Sequence, residues 1–372
     1  MLLPLLASLL VVFGAPYVGE IRSALQTSFP DEYRLIVGAI VTITAAAAVA
    51  WAVAGVRRPQ RATSGPGAVS LRTRYTLVIA AVAISAAYAG WLFLRDPDVA
   101  LVESFHFVEY GAVAWLFYRA WRGRPDVSGV AYAACAGVAV GVADESVQWF
   151  VPGRVGEMHD IVLNAVAVGC GLLAAAAVHP PASLVMPERR RSRLVLGAAI
   201  AVLLVAVAAF VDRVHVGYEI VDVQAGTFRS RYDAPDLLAA AADREARWKV
   251  SSPPDRGFSR EDHYLSEGRW HAQERNAAAA THDWPVAWGE NLILERFYEP
   301  VLDYGNRWPP EQRAEIEQHV TSANTNSYVS DAAPYPIYTI PRMTFWLVTA
   351  LGVMAVVWCF GRRGTVAEAS LV

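Results

Sequence analysis

Apolar runs long enough to cross a bilayer recur along this 372-residue chain. A membrane-spanning helix needs about 20 predominantly apolar residues, because a backbone without water must satisfy its own amides. Eight runs approach or exceed that length: 2 to 18, 34 to 56, 75 to 94, 104 to 121, 128 to 150, 160 to 178, 194 to 211 and 342 to 360. The composition agrees, at 55% hydrophobic and 18% charged residues, against about 45 to 50% and 25% in a soluble domain. The first run lacks a positive leading segment, and Pro16 follows its one small-residue cleavage motif, Phe13-Gly14-Ala15, so it reads as an uncleaved first span. The three cysteines, Cys135, Cys170 and Cys359, all lie in apolar runs and offer neither a disulfide framework nor a zinc spacing.

Arginines in short connections mark the cytoplasmic side of a membrane. One side collects fourteen: Arg57, Arg58, Arg61, Arg72 and Arg74, then Arg119, Arg122 and Arg124, then Arg189, Arg190, Arg191 and Arg193, and finally Arg362 and Arg363. The opposite short loops hold four, Arg22, Arg34, Arg95 and Arg154. The alternation requires all eight spans, places both termini in the cytoplasm and puts residues 212–340 outside. The resulting expectation is an all-α polytopic protein of a bacterial cytoplasmic membrane, with about eight transmembrane helices and a mainly α-helical extracytoplasmic domain between spans seven and eight. Its divisions are 1–74, two spans; 75–178, a four-helix core; 179–211, a cytoplasmic loop and span seven; 212–340, the outer domain; and 341–372, the last span and tail.

The outer segment carries 21 acidic and 13 basic residues, which argues against a nucleic-acid partner. Four helices are predicted in it. Asp233 precedes Pro235 and an alanine-leucine run, and Ser259-Arg260-Glu261-Asp262 has the form of a capping box. After Asp283 and Pro285, Leu294, Phe297, Tyr298 and Val301 repeat at i, i+3, i+4, i+7 as a core stripe. Trp308-Pro309-Pro310-Glu311 opens the fourth helix, and Val214 to Tyr232 has the character of a short hairpin. His263, Glu267, His271 and Glu274 share one helical face. That face reads as solvated rather than as a metal site, because no third ligand is singled out elsewhere. No metal and no cofactor is expected, and no nucleophile elbow or phosphate-cradling glycine loop is present.

The most informative residues are polar groups inside apolar runs, since an ionised side chain at mid-bilayer costs at least about 2.5 to 3.5 kcal/mol and defaults to a functional role. Span four opens with Glu103, His106, Glu109 and Tyr110, with His106 and Tyr110 on one face. Span five ends with Asp144, Glu145 and Gln148, where Asp144 and Gln148 share a face and Glu145 points about 100° away. A turn carrying Pro152, Gly153 and Arg154 leads to Asp160 and Asn164 on span six. Topology brings all of these to one edge of the membrane. Gly137-x-x-x-Gly141 in span five suits close packing against a neighbouring helix.

The stretch Ala143-Asp144-Glu145-Ser146-Val147-Gln148-Trp149-Phe150-Val151-Pro152-Gly153-Arg154-Val155-Gly156, with His106-x-x-x-Tyr110 upstream and Asp160 and Asn164 downstream, closely resembles the signature of the VanZ-like membrane proteins. The resemblance covers residues 75–178, leaving the first two spans and the outer domain outside. It implies an integral membrane protein of the cell envelope, in a family named for low-level resistance to the glycopeptide teicoplanin. The family's recurring polar residues correspond to His106, Tyr110, Asp144, Glu145, Gln148, Arg154, Asp160 and Asn164.

Three functions compete for these residues. The preferred one is non-enzymatic binding of a lipid-linked or anionic envelope molecule at the outer leaflet, with Arg154 on an anionic group. In the second, the cluster is packing glue within an accessory subunit that docks a membrane-protein partner through residues 212–340. In the third, the carboxylates and histidines serve a metal-dependent hydrolase or transferase. The topology gives a direct test: a reporter fused after Val178 is expected in the cytoplasm and one fused at Ser252 outside. Recovery of both on one side would remove the eight-span arrangement.

Overall fold

The computed structural model of the chain describes residues 1–58, 69–151, 154–253, 263–320 and 328–362. It is mostly helical and divides into two compact units. The first comprises Met1–Val147, Met158–Ala208 and Val348–Val372; the second comprises Gln148–Glu157 and Ala209–Leu347. The expected capping box at Ser259 to Asp262, and Pro152 and Gly153 of the turn, lie outside the described residues.

The first unit holds α1 (Leu2–Ser28), α2 (Tyr33–Arg57), α3 (Leu71–Phe93), the short α4 (Pro97–Glu103), α5 (Phe105–Trp121), most of α6 (Ser128–Trp149), α7 (Met158–Val178) and most of α8 (Arg190–Val214). Most of the final helix, α14 (Arg342–Gly361), also belongs to it. Among the described residues seven helices are long and apolar enough to cross a membrane; the pair Leu2–Gly14 and Tyr17–Ser28, bent by 56°, makes an eighth if it is counted as one span. The first span was expected to end at residue 18, yet the helix runs on to Ser28. In the sequence Pro16 lies between those two stretches.

Small residues set the packing. A Cβ on Gly171 of α7 would lie 2.6 Å from the Gly111 backbone of α5, so these helices meet backbone to backbone. On α6, a Cβ on Gly137 would lie 2.8 Å from Val168 and one on Gly141 2.9 Å from Asn164, so the expected small-residue motif seats α6 on α7. Ser70 caps α3 by accepting from the Thr73 amide at 3.1 Å. Arg74 is buried, donating from Nε to the Ala177 carbonyl at 2.7 Å and from Nη2 to Val178 at 3.1 Å. It closes the C-terminus of α7, where unpaired carbonyls and the helix dipole favour a cation.

The second unit contains an antiparallel hairpin, β1 (Tyr218–Asp222) and β2 (Gly226–Ser230), then α9 (Ala234–Trp248), α10 (His263–Ala280), α11 (Trp284–Phe297), α12 (Glu299–Leu302) and α13 (Pro310–His319). Asp233 caps α9 by accepting from the Asp236 amide at 2.9 Å. The stripe Leu294, Phe297, Tyr298 and Val301 is core, as its spacing predicts, packed with Phe228, Leu237 and Tyr264.

The face of α10 expected to be solvated is buried instead. His263, Glu267 and His271 are each no more than 3% exposed, and only Glu274 faces water. Glu267 accepts from the Ser230 hydroxyl at 2.6 Å, the Arg231 amide at 2.9 Å and the Tyr298 hydroxyl at 2.8 Å. His271 Nδ1 lies 2.5 Å from Glu290, which also accepts from the Tyr328 and Ser330 hydroxyls. His263 bonds the Tyr335 hydroxyl. Polar side chains can face inward here because each meets a partner from another segment. Burial pushes the Glu267 carboxyl above its ordinary value. At Glu290 burial acts in the same sense but is outweighed by His271 and the two hydroxyls, so its carboxyl falls below the ordinary value. Glu290→Ala strands three partners, of which His271 and Ser330 are buried, and is expected to cost about 3 kcal/mol, read as faster limited proteolysis of the second unit in the full-length protein. Wild-type protease resistance in the variant would show that this network does not hold the unit together.

Candidate functional site

His106, Tyr110, Asp144, Glu145, Asp160 and Asn164 belong to the first unit, whereas Gln148 and Arg154 belong to the second.

Within the first unit the central contact joins α5 to α6. The Tyr110 hydroxyl donates to Asp144 Oδ2 at 2.8 Å, and both residues are buried. One turn earlier on α5, the His106 ring stacks on Tyr110 with centroids 5.7 Å apart and planes within 11°. His106 Nε2 lies 3.9 Å from Glu103 at the end of α4. Helical spacing thus aligns His106 and Tyr110 as expected, and the α4 to α5 junction adds Glu103. Glu145, next to Asp144, is fully buried. Asn164 is also fully buried, against Gly141 one turn from Asp144 along α6, and among the described residues its amide has no hydrogen-bond partner.

Asp160 joins a different group. It lies 3.7 Å from His159, whose Nε2 meets the Tyr88 hydroxyl of α3 at 3.0 Å. Tyr88 packs edge-on against Phe107 with centroids 5.8 Å apart. Nothing in the sequence marks Tyr88, a lone tyrosine in an ordinary apolar span.

In the second unit Arg154 Nη2 donates to the Gln148 carbonyl oxygen at 2.6 Å. Trp149 is only 6% exposed and packs on His263 with centroids 4.0 Å apart and on Tyr335 at 6.2 Å. Among the described residues, no three His, Cys, Asp or Glu side chains are grouped as metal ligands.

A cleft of about 860 Å³ opens beside the first polar group, between α2, α3, α5 and α7. Its walls are mostly apolar and small, including Ala45, Val49, Ala86, Gly171 and Ala174, with Trp51 and Trp115 stacked edge-on at 4.4 Å. Ser104 and Phe107 lie towards the α5 N-terminus, beside Glu103 and His106 in sequence, and Arg119 lies towards the other end of that helix. The size is that of a small-molecule site, for which about 300 to 1,000 Å³ is usual. Nothing in the sequence announces it, because it consists of the absence of side-chain bulk at alanines scattered over four helices.

Residues 5–179 match the family model described as VanZ/LLP1. The match begins in α1, so the first two helices, which the signature alone left outside, fall within the family segment; α8, the second unit's main body and α14 do not. No curated protein matches the chain. No solved structure matches it either.

The Tyr110–Asp144 bond gives a quantitative test. Tyr110→Phe keeps the ring stack on His106 but takes a donor from a buried carboxylate, and is expected to cost about 1 to 3 kcal/mol, measured as a lower thermal midpoint of the detergent-purified protein. An unchanged midpoint in Tyr110→Phe would mean that the bond carries no stability.

Proposed function

We propose, from the membership of residues 5–179 in the VanZ/LLP1 family, that this integral membrane protein is a non-enzymatic cell-envelope factor that holds a lipid-linked molecule. The observation that carries the reading is the cleft between α2, α3, α5 and α7. An apolar groove among candidate spans is solvated by hydrocarbon, so its natural occupant is an acyl or isoprenoid chain. A polar head would then meet Ser104, Glu103 and His106, near the N-terminal end of α5.

Glu103, Asp144, Glu145 and Asp160 bring carboxylates to these helices. Carboxylates accept hydrogen bonds from hydroxyl, amide and amine groups, so the reading takes a head that offers such donors. With the head at the outer leaflet of a bacterial membrane, a lipid-linked wall precursor fits, and holding such a precursor would connect the protein to glycopeptide resistance.

The cleft walls supply the test. Ala86→Phe and Ala174→Phe, from α3 and α7, fill the groove. Native mass spectrometry of gently extracted wild type should show one lipid-tailed adduct per chain, reduced at least tenfold in the double variant with the fold retained. A wild type carrying no such adduct, or a variant carrying as much, would remove the reading.

A further inference from the structure

A second site, independent of the cleft, is built where α8 runs into the second unit and α14 leaves it. Arg231 follows β2 directly. Its backbone amide is held by Glu267 at 2.9 Å, and its side chain is 94% buried by its 6% exposure. The enclosed Nε and Nη1 of this guanidinium have no hydrogen-bond acceptor among the described residues. A guanidinium stays charged in proteins, and buried donors are as a rule hydrogen-bonded.

The surroundings add positive charge. The segment before α14 is tied to the end of α8, with the Tyr338 amide donating to the His215 carbonyl at 2.7 Å and the Gly217 amide to Tyr338 at 3.0 Å. Gly217 is so close to Ser230 and Ile337 that a Cβ would lie 2.3 Å from the Ser230 carbonyl oxygen and 2.6 Å from Ile337. Arg342, the first residue of α14, lies 3.4 Å from Asp212 of α8 and has its guanidinium carbon 6.0 Å from the Tyr218 ring. Tyr218 is the cross-strand partner of Ser230, the residue before Arg231. Arg213 occupies the last turn of α8. Burial first, then the charge of Arg342, pulls the Arg231 pKa below its ordinary value, with Arg213 acting in the same sense. Tyr335 and Glu267 act in the opposite sense; Glu267 is already engaged by Ser230, Tyr298 and the Arg231 amide, and Asp212 lies beside Arg342.

We propose that Arg231, Arg342 and Arg213 form a phosphate-binding site. Guanidinium groups pair with phosphate oxygens bidentately. The phosphate of a phospholipid head group and a free phosphate present the same oxygens to these donors.

The test uses the full-length protein in neutral detergent, following the thermal midpoint against dihexanoylphosphatidylglycerol and, separately, inorganic phosphate. The wild-type midpoint rises with at least one probe, and Arg231→Gln and Arg342→Gln each raise the half-saturating concentration at least tenfold. A response to the phospholipid alone assigns a head group as the ligand, and a response to both, in competition, assigns a general phosphate site. Without probe, Arg231→Met matches or exceeds the wild-type midpoint, because it removes a buried charge that lacks a partner. If Arg231 variants fail to fold, the exposed Arg342→Gln and Arg213→Gln carry the comparison. No response in wild type, or equal half-saturation in all variants, overturns the proposal. The cleft variants Ala86→Phe and Ala174→Phe leave this response unchanged, so the two readings fail separately.

Discussion

Hydrocarbon supplies no hydrogen bonds, so a polar side chain in a spanning helix looks for its partner within the protein, on its own helix or another. The Tyr110–Asp144 bond is this rule at work, and because His106 stacks on the same tyrosine, it ties α5 and α6 at one height. At the other end of α7 the demand comes from the backbone: the last carbonyls are orphaned and Arg74 of α3 answers them. Between these two polar ends the helices need only approach closely, and Gly111 against Gly171, with Gly137 and Gly141 against α7, allows it. Helix packing here is thus set by a few polar ties at the ends and by the absence of side chains between them.

The spans were legible because burial in lipid imposes one property, apolarity, over a fixed length. Their ends were less legible. Arg74 counts in a topological tally like any loop arginine, yet it is buried and caps a helix; charge alone does not say whether an arginine meets water or carbonyls. Pro16 carries the signal for a bend, but not for a helix that resumes and reaches Ser28. In the second unit, spacing correctly put His263, Glu267 and His271 on one face and gave no information on which way that face points. Polar residues face inward only when other segments bring partners, and those come from residues as distant as Ser230, Glu290 and Tyr335.

Those partners explain why α10 organises its unit. Three residues spaced four apart reach three separate parts of the chain: His263 meets the segment before α14, Glu267 meets the hairpin and Tyr298, and His271 meets α11 through Glu290. Each bond is short-range and directional, so together they specify how the segments pack around the helix in a way that apolar contacts alone do not. The opposite displacement of the two carboxyls follows from partner type. Glu290 faces an imidazole that can carry charge, whereas the three direct donors to Glu267 are neutral hydroxyl and amide groups, too weak to offset its complete burial.

The candidate site was partly legible for a related reason. Helical spacing found His106 with Tyr110, and the signature pointed to Asp144, which accepts from that tyrosine. Spacing along the helices did not show that Arg154 reaches back to the Gln148 side chain. Other arginines that could hold phosphate stand at the ends of α8 and α14, where Arg231 keeps buried donors without an acceptor among the described residues. Buried guanidinium nitrogens without an acceptor cost stability, and set beside Arg342 they are preorganised for an anion.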